Sequence, residues 1–340
     1  MLTSSATKSS VIRTSTSSKS PISEVLKAVR KQHGDDSIYS LSEPNSSLNV
    51  SALSSGHFAL DSITGIGGIP CGRITEIFGP ESTGKTTLAL KIASQATKSG
   101  RNVAFIDVEH ALNVNYALKI GLDPKRVLIS QPDSGEQALR LTESLVKLND
   151  CDLVILDSVA ALVTQAEIDN QIGAHNVGSH ARLMSTAVKK LTPMLGNTTL
   201  LFINQVRMKI GVLFGNPEVT TGGNALKFYS SMRMEVRRGS VIKDKDKIIG
   251  HMMKVKVVKN KMAAPLRTTE IELLYSPQPA CTEGEVIDVA VGMNIIDIRG
   301  SHYYYKDTKL GQGRLKAIAY LKAQPEITEQ IKKDVKGEVL

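Results

Sequence analysis

Short apolar runs alternate with amphipathic stretches through the middle of the chain. The apolar runs carry few polar residues on either face, which predicts strands buried on both sides. The stretches between them repeat their apolar residues about every 3.6 positions, which predicts helices. The predicted strands are Asn102–Val108, Val127–Gln131, Cys151–Asp157 and Thr199–Ile203, and the predicted helices are Thr86–Ser99, Glu136–Leu148 and His180–Leu195. This alternation predicts an α/β fold with a mostly parallel sheet covered by helices on both faces.

The pattern differs on either side of this region. Upstream, apolar residues at helical spacing in Ile22–Lys31 predict a short amphipathic helix that is too small to bury its apolar face alone. We expect it to pack on the main domain or on a neighbouring subunit. Downstream of Ala225 the apolar runs become shorter, and we expect antiparallel strands that extend the same sheet. These runs are Met232–Val236, Met252–Val258 and Thr268–Leu274.

These changes in pattern divide the chain into four predicted segments. They are a Ser/Thr-rich tail at 1–20, the short helix and its linker at 21–47, a core at 48–275 and a small α+β lobe at 276–340. A chain of 340 residues is long enough for one large domain with appendages of this size.

One glycine-rich segment carries a specific chemical signal. The sequence GPESTGKT, at Gly79–Thr86, fits the phosphate-binding pattern G-x-x-x-x-G-K-[ST], and it lies between an apolar strand and a helical stretch. Glycines allow the tight turn that points backbone N–H groups at phosphate oxygens, and Lys85 can reach the β- and γ-phosphates. The Thr86 hydroxyl can hold Mg²⁺, so ATP and Mg²⁺ are the predicted cofactors. The predicted nucleotide-binding residues here are Gly79, Pro80, Glu81, Ser82, Thr83, Gly84, Lys85, Thr86 and Thr87.

Three predicted strands end in polar residues suited to the same site. Ligands of open α/β sheets bind at the carboxyl ends of the strands. Asp157 closes one strand and suits the support of Mg²⁺, while Glu109 closes another and suits the activation of a water molecule. Gln205 closes a third strand and could sense the γ-phosphate. The alternatives are an exposed loop acid for Glu109 and a structural amide for Gln205.

Composition and charge point to a polyanionic partner. The net charge of +9 favours nucleic acid, although a basic enzyme without such a partner has the same charge. Basic residues concentrate beyond Gln205, in and after the long loop Arg207–Gly223, which also carries Leu213 and Phe214. Positive charge with exposed apolar residues suits binding to a nucleic-acid backbone with insertion between bases. A solvated basic face is the alternative. The basic residues are Arg207, Lys209, Lys227, Arg233, Arg237, Arg238, Lys254, Lys256, Lys259 and Lys261.

Three further features concern the compartment. The cysteines Cys71, Cys151 and Cys281 are isolated in sequence and have no metal-ligand spacing, which indicates a reducing environment. No apolar run reaches the ~18 residues that a membrane span needs. Residues 1–23 are rich in Ser and Thr, with Lys8, Arg13 and Lys19 and no acid. This composition predicts an organellar transit peptide, mitochondrial in the first place, or else a plain tail on a protein of the bacterial cytoplasm.

Several motifs, in this order, resemble the bacterial RecA recombinases. They are GPESTGKTTL, FIDVEHAL, LVILDSVAAL, FINQVRMKIGVLFGNPEVTTGGNALKFYSS and KVKVVKNKMAAP, and the resemblance covers about residues 22–335. It implies a RecA-like P-loop NTPase core. It also implies a DNA-dependent ATPase that forms helical filaments on single-stranded DNA. Such a filament pairs homologous duplex DNA and exchanges strands in recombinational repair. Loader or single-strand-binding proteins are expected accessory partners.

The resemblance also implies roles for individual residues. Glu109 matches the hydrolytic glutamate and Gln205 the γ-phosphate sensor, while Tyr116 would stack on adenine. Lys259 and Lys261 would reach the ATP of the neighbouring subunit, on which the helix at Ile22–Lys31 would also dock. The segments Glu167–Gly178 and Arg207–Gly222 match the two DNA-binding loops. The implied DNA-binding residues are Val177, Arg182, Arg207, Lys209, Leu213, Phe214 and Asn224.

The sequence departs from the family pattern at four positions. Asn113 and Val114 stand where the family usually has Asp-Pro, and Gln171 and Ala174 replace acids in the first loop. Two other functions remain open at this stage. One is an ATP-gated scaffold that acts mainly through partner proteins, and the other is a hexameric motor with the same core fold. A small-molecule kinase is disfavoured because no acceptor lid is recognisable.

Overall fold

The computed structural model describes residues 21–42, 50–171, 178–209, 211, 215, 217–276 and 282–339. Several predictions lie outside these residues: the tail at 1–20, residues 43–47 of the linker, Ala174, Cys281 and the DNA-binding residues Val177, Leu213 and Phe214. The chain divides into two compact units between Asn49 and Val50. Within the described residues, no helix has both the length and the apolar character needed to cross a membrane.

The smaller unit contains the predicted amphipathic helix. Helix α1 spans Pro21–His33 and is followed by a 3₁₀ turn at Asp35–Ser37. Gly34 ends the helix because its φ of 93° is left-handed, and its N–H donates to Arg30 O at 2.8 Å. The apolar side chains of Ile22 and Val25 remain 62% and 56% exposed. That the main domain or a neighbouring subunit covers these side chains therefore stays a prediction.

The larger unit is built on a nine-stranded sheet with helices on both faces. The strands of this unit are β1 Ala52–Leu53, β2 Ile69–Pro70, β3 Ile74–Gly79, β4 Val103–Asp107, β5 Val127–Ser130, β6 Leu153–Asp157, β7 Thr199–Met208, β8 Glu218–Thr220, β9 Met232–Asp244, β10 Lys247–Asn260, β11 Thr268–Leu274, β12 Ile296–Arg299, β13 His302–Tyr305 and β14 Thr308–Gln312. The helices are α2 Phe58–Thr64, α3 Lys85–Lys98, α4 Val114–Ile120, α5 Gly135–Leu148, α6 Gln165–Asp169, α7 Ser179–Leu191, α8 Ala225–Tyr229, α9 Thr282–Gly292, α10 Arg314–Ala323 and α11 Pro325–Val339.

The order of strands in the large sheet is β11-β10-β9-β3-β7-β6-β4-β5, and β8 pairs with β7. The central strands are parallel, which confirms the predicted α/β class. The prediction that Met232–Val236 adds as an antiparallel strand holds for the pairing of β9 with β10 and is wrong for its pairing with β3, which is parallel. Strands β10 and β11 are antiparallel as predicted. The direction of β9 depends on which strand it pairs with, and its own sequence does not specify that.

Apolar side chains on successive residues of the central strands enter two different cores. In β4, Phe105 packs with the α3 side chains on one face, whereas Ala104 and Ile106 pack with α5 and α7 on the other. Each fully buried Ile, Leu or Phe contributes roughly 1.5–3 kcal/mol. The predicted helix His180–Leu195 ends earlier, at Leu191, and a 3₁₀ turn at Thr192–Met194 follows. Pro193 lies in that turn and cannot continue the helical hydrogen bonds.

The carboxyl-terminal part of the larger unit is a small α+β lobe. Helices α9, α10 and α11 surround the three-stranded antiparallel sheet β12-β13-β14 and share one apolar core. Phe58 at the start of α2 packs against this core. A buried polar chain runs beside it: Lys91 Nζ of α3 lies 2.8 Å from His57 Nε2, and His57 Nδ1 lies 2.5 Å from Glu285 Oε1 of α9. Polar contacts thus join the lobe to helix α3, and apolar contacts join it to α2.

Loss of the Glu285 charge is expected to destabilise the fold. The His57 and Glu285 side chains are only 2% and 13% exposed, and burial lowers the pKa of Lys91. Glu285→Gln would leave the half-buried Lys91 charge without its carboxylate, at a cost of about 2 kcal/mol in unfolding free energy. The midpoint of urea unfolding measures this loss. Asp288→Asn is the matched control on the same helix, because its partner Arg314 is 39% exposed and such pairs contribute under about 1 kcal/mol. Equal losses in the two variants would contradict the expectation.

Candidate nucleotide and DNA site

The glycine-rich segment forms a tight loop between β3 and α3. Gly84 precedes α3 with a φ of 93°, and Ser82 is also left-handed at 56°. A Cβ on Gly79 would lie 2.0 Å from the carbonyl oxygen of Val236, and one on Gly84 would lie 2.6 Å from Leu273 Cδ1. Both glycines are therefore required by close packing against β9 and β11. The loop ends at the amino terminus of α3, where unpaired N–H groups and the helix dipole favour an anion.

Lys85 turns its ammonium group back into this loop. Lys85 Nζ donates to Pro80 O at 2.6 Å. Burial lowers the pKa of Lys85, while the negative charges of Asp157, Glu109 and Glu81 oppose that shift. Thr83 also folds inward, since its hydroxyl donates to Pro80 O at 3.0 Å. The loop thus concentrates positive potential where the sequence predicts the phosphates.

Thr86 and Asp157 meet at the predicted metal position. The Thr86 hydroxyl donates to Asp157 Oδ2 at 2.6 Å. Burial raises the pKa of Asp157 from 3.8 to about 6, although the Thr86 hydrogen bond opposes the shift. Among the described residues no group of three or more His, Cys, Asp or Glu side chains forms a metal cage. One hydroxyl and one carboxylate, completed by phosphate oxygens, suit Mg²⁺, which keeps few protein ligands.

The raised pKa of Asp157 predicts a pH-dependent effect of Asp157→Asn. The native state disfavours the charged carboxylate, so this group costs stability fully above pH 6, and the cost fades as the pH falls towards 3.8. Asp157→Asn should therefore raise the unfolding free energy by roughly 1–3 kcal/mol at pH 7.5, and by about a third of that at pH 4.5. Urea unfolding at the two pH values measures the difference. The exposed Asp246→Asn serves as the control and should give no gain. A destabilised Asp157→Asn variant at pH 7.5 would contradict the expectation.

Glu109 lies beside the loop at the end of β4. Its Oε1 accepts hydrogen bonds from Ser158 Oγ at 2.5 Å and from Gln205 Nε2 at 3.1 Å. The turn that follows Glu109 is fixed by Asp107, whose carboxylate accepts from Ala111 N at 3.2 Å and Leu112 N at 3.0 Å. In the sheet, Gly79 is the register partner of Gln205. The structure therefore brings the phosphate loop, Glu109, Asp157 and Gln205 to one edge of the sheet.

Tyr116 lies on α4, beside α3. Its hydroxyl is 3.4 Å from Thr87 Oγ1. Tyr116 and Thr87 line a cavity of about 340 Å³, together with Lys91 and residues of β11. Asn113, which departs from the family pattern, begins α4 by accepting a hydrogen bond from Tyr116 N at 3.0 Å. Asn113 therefore caps α4 although it departs from the family pattern, and Tyr116 still lines this cavity.

Lys259 and Lys261 do not reach the phosphate loop of their own chain. Lys259 Nζ donates to Lys227 O at 2.6 Å and to Phe228 O at 2.9 Å, so it caps the end of α8. The Lys261 side chain is exposed, and its N–H donates to Ser231 O. That Lys259 and Lys261 contact the ATP of a neighbouring subunit therefore stays a prediction.

The segment Arg207–Gly223 is more regular than its sequence indicated. β7 continues to Met208 and pairs with β8 in an antiparallel hairpin, with Arg207 opposite Val219. The expectation of a loop without regular structure was therefore wrong at both ends of the segment. Exposed Lys209 closes the hairpin, because its N–H donates to Pro217 O at 2.9 Å. The alternation of apolar and polar residues is hard to recognise in such short strands when a glycine-rich sequence separates them.

Gln205 belongs to both the candidate nucleotide site and this hairpin. Its side chain contacts Glu109, and its carbonyl oxygen accepts from Thr221 N at 3.3 Å. Next to it, the buried Asn204 donates to Glu76 Oε1 at 2.9 Å and to Thr221 O at 3.1 Å. Arg233 completes the network by donating to Glu76 Oε2 at 2.5 Å. A movement of Gln205 would therefore act directly on the base of the basic hairpin.

The bases of the two predicted DNA-binding loops lie together. A Cβ on Gly222 would be 3.0 Å from Val159 Cγ1, and one on Gly223 would be 3.0 Å from Ala181 Cβ at the start of α7. Burial lowers the pKa of His180, and the positive charge of Arg207 lowers it further. Exposed side chains here are Arg182, Arg207, Lys209 and Asn224. These four predicted DNA-binding residues thus lie on neighbouring elements, α7, the hairpin and the start of α8.

Sequence reasoning did not single out four residues of this site. Ser158, Asp107, Asn204 and Glu76 are all buried polar residues within or directly after apolar strands. A polar side chain inside an otherwise apolar run is the signal that could have indicated them, since a buried polar group needs a partner.

Comparison with known proteins gives a consistent result. Residues 20–278 match the RecA N-terminal domain, and residues 284–340 match the RecA C-terminal domain. Protein RecA of Rickettsia canadensis (strain McKiel) is 48% identical over 318 residues, which is 93% of this chain and 92% of that protein. Protein RecA of Nautilia profundicola is 50% identical over 314 residues, 92% of this chain and 89% of that protein. Protein RecA of Wigglesworthia glossinidia brevipalpis is 49% identical over 320 residues, 94% of this chain and 96% of that protein.

Proposed function

The chain belongs to the RecA family, and from that premise we propose that it is an ATP-hydrolysing recombinase. It forms filaments on single-stranded DNA and pairs that strand with homologous duplex in recombination and repair. One observation carries the proposal beyond family membership: Gln205 contacts Glu109 with its side chain and the basic hairpin with its backbone. The residue that would respond to the nucleotide and the first strand of the DNA-binding hairpin thus both belong to β7.

Each residue described above has its own role in binding or hydrolysing ATP. The phosphates bind across Gly79–Thr87, where backbone N–H groups and the α3 amino terminus surround them. Lys85 leaves Pro80 O for the β- and γ-phosphates, and Tyr116 stacks on adenine. Glu109 takes a proton from the attacking water, and Gln205 donates its amide to the γ-phosphate.

The metal position fits Mg²⁺. The Thr86 hydroxyl and, through the metal's hydration shell, the Asp157 carboxylate would hold it, and the hydrogen bond between them already sets their spacing. Bound there, Mg²⁺ would neutralise charge on the β- and γ-phosphate oxygens during phosphoryl transfer. Asp157 must be ionised for this role, so Mg²⁺ affinity should fall as the pH drops below about 6.

The DNA surface is formed by the two loops and the elements beside them. Arg182, Arg207, Lys209 and Asn224 contact the backbone, and Val177, Leu213 and Phe214 separate or stack on bases. The net charge of +9 supports this assignment. Single-strand affinity should therefore fall with salt by roughly 0.7 log units per log unit for each phosphate neutralised.

Filament formation completes the site between subunits. Lys259 and Lys261 reach the neighbouring subunit's ATP, and α1 docks on that subunit through Ile22 and Val25. The domain limits predicted from sequence, 48–275 for the ATPase core and 276–340 for the lobe, belong to the same proposal. An open helical arrangement follows because a heterologous contact that does not close generates a filament.

The comparisons do not favour the scaffold or the hexameric motor. Loader and single-strand-binding proteins remain proposed partners. The relatives described above are bacterial, which fits the bacterial cytoplasm and gives no support to the organellar alternative.

The experiment that tests the proposal is an ATPase assay with and without single-stranded DNA, alongside electron microscopy. We expect DNA to stimulate hydrolysis and ATP to produce open helical filaments on the strand. Closed rings would favour the motor, and hydrolysis indifferent to DNA would overturn the proposal.

A further inference from the structure

Ser158 makes the shortest hydrogen bond to the hydrolytic carboxylate. Its side chain is 1% exposed, and its hydroxyl donates to Glu109 Oε1 at 2.5 Å. Glu109 itself is an exposed residue at the end of a strand. An exposed glutamate without a fixed partner samples many rotamers, which costs entropy whenever one rotamer is needed. The buried hydroxyl supplies a rigid anchor for this mobile type of side chain.

The backbone on either side strengthens the anchor. Asp157 O accepts hydrogen bonds from Val108 N at 2.7 Å and from Glu109 N at 3.3 Å. The segment Asp157–Ser158 therefore holds Glu109 through its main chain and its side chain at once. The same segment carries the Asp157 carboxylate to Thr86. The metal position and the hydrolytic acid are thus fixed by two consecutive residues.

The two carboxylate oxygens of Glu109 have different surroundings. Oε1 accepts from both Ser158 and Gln205, whereas Oε2 accepts no hydrogen bond from the part of the chain that the structure describes. Gln205 must leave Glu109 when its amide turns to the γ-phosphate. Ser158 then remains as the donor that holds Oε1 and keeps Oε2 for the water.

We propose that Ser158 is a positioning residue for ATP hydrolysis, an inference that rests on the proposed function. It orients Glu109 so that Oε2 takes the proton of the attacking water. In that step the water oxygen bonds to the γ-phosphorus and the bond from that phosphorus to the bridging oxygen breaks. The electron pair leaves with ADP, and the released proton resides on Glu109. Ser158 touches neither the nucleotide nor the water.

The test is steady-state and single-turnover hydrolysis by the full chain with single-stranded DNA. Ser158→Ala should lower kcat between roughly 10- and 100-fold, since a displacement of about 1 Å can cost 100-fold. The KM for ATP should not change, because Glu109 does not bind the ground state. Ser158→Thr restores the hydroxyl and should recover most of the rate. Ser158→Cys keeps the volume with a weak donor and should lie between them, which guards against a folding defect in the alanine variant.

Two further arms separate positioning from a structural role. Ser230→Ala removes another buried serine, whose hydroxyl has no hydrogen-bond partner among the described residues, and should leave kcat unchanged. In the Glu109→Gln background, Ser158→Ala should slow the residual single-turnover rate less than twofold, because the residue acts through Glu109. An equal loss in both backgrounds, a raised KM or an unchanged kcat would overturn the inference. A wild-type chain without DNA-dependent hydrolysis would instead contradict the proposed function itself.

Discussion

Lys85→Ala is expected to abolish ATP hydrolysis and ATP-dependent DNA binding together. Lys85 is the buried cation of the phosphate loop, and its ammonium lies against Pro80 O, within reach of Asp157 and Glu109. Alanine would leave the charges of the γ-phosphate unmatched in a partly desolvated site. We expect kcat/KM for ATP to fall roughly 1,000-fold or more.

The same variant should lose filaments on single-stranded DNA in the presence of ATP. A coupled ATPase assay and fluorescence anisotropy of labelled DNA measure the two losses. Lys147→Ala, in the last turn of α5, is the control, because that exposed side chain pairs with Glu143 and does not line the cavity of Tyr116. DNA-stimulated hydrolysis that survives in Lys85→Ala would be incompatible with the assigned site.

Glu109→Gln should separate hydrolysis from DNA binding. Glutamine keeps the size of the side chain and can accept from Ser158, but it cannot take a proton from water. Hydrolysis should fall between roughly 100- and 10,000-fold. Lys85, Thr86 and Gln205 remain, so ATP should still order the DNA-binding elements. The expected result is a stable ATP-dependent complex with DNA that turns over slowly.

Nucleotide exchange provides the control for this variant. ADP in place of ATP should release DNA from both the wild type and Glu109→Gln, because Gln205 then lacks its γ-phosphate partner. Loss of both hydrolysis and ATP-dependent DNA binding in Glu109→Gln would assign Glu109 a structural role.

The regular elements were predictable where periodicity is strong. α3 and α5 carry continuous helical patterns, and β4 and β6 are apolar on both faces, so their bounds agree with prediction within two residues. The direction of β9 was not predictable, because it depends on pairing with β3. That strand lies more than 150 residues earlier in the chain, as the register pair of Glu76 and Arg233 shows. The β7–β8 hairpin was missed for a related reason, since three residue pairs carry too little pattern.

The site was predictable to the extent that local sequence encodes it. The phosphate loop is a contiguous motif, and Asp157 and Gln205 close recognisable strands. The structure adds the reason that Gly79 must be a glycine: a Cβ there would collide with the carbonyl oxygen of Val236, which lies far away in the sequence. Ser158 and Asn204 are short polar residues whose partners lie 49 and 128 positions away, and such partners follow only from the fold.

Strand exchange by the purified chain is the direct measurement of recombinase activity. The assay combines circular single-stranded DNA with homologous linear duplex, ATP and Mg²⁺, and follows joint molecules by gel electrophoresis. We expect joint molecules that need ATP and homology, that form with the wild type and that are absent with Lys85→Ala. ATP hydrolysis stimulated by DNA without any homology-dependent joint molecules would show that the chain is not a recombinase.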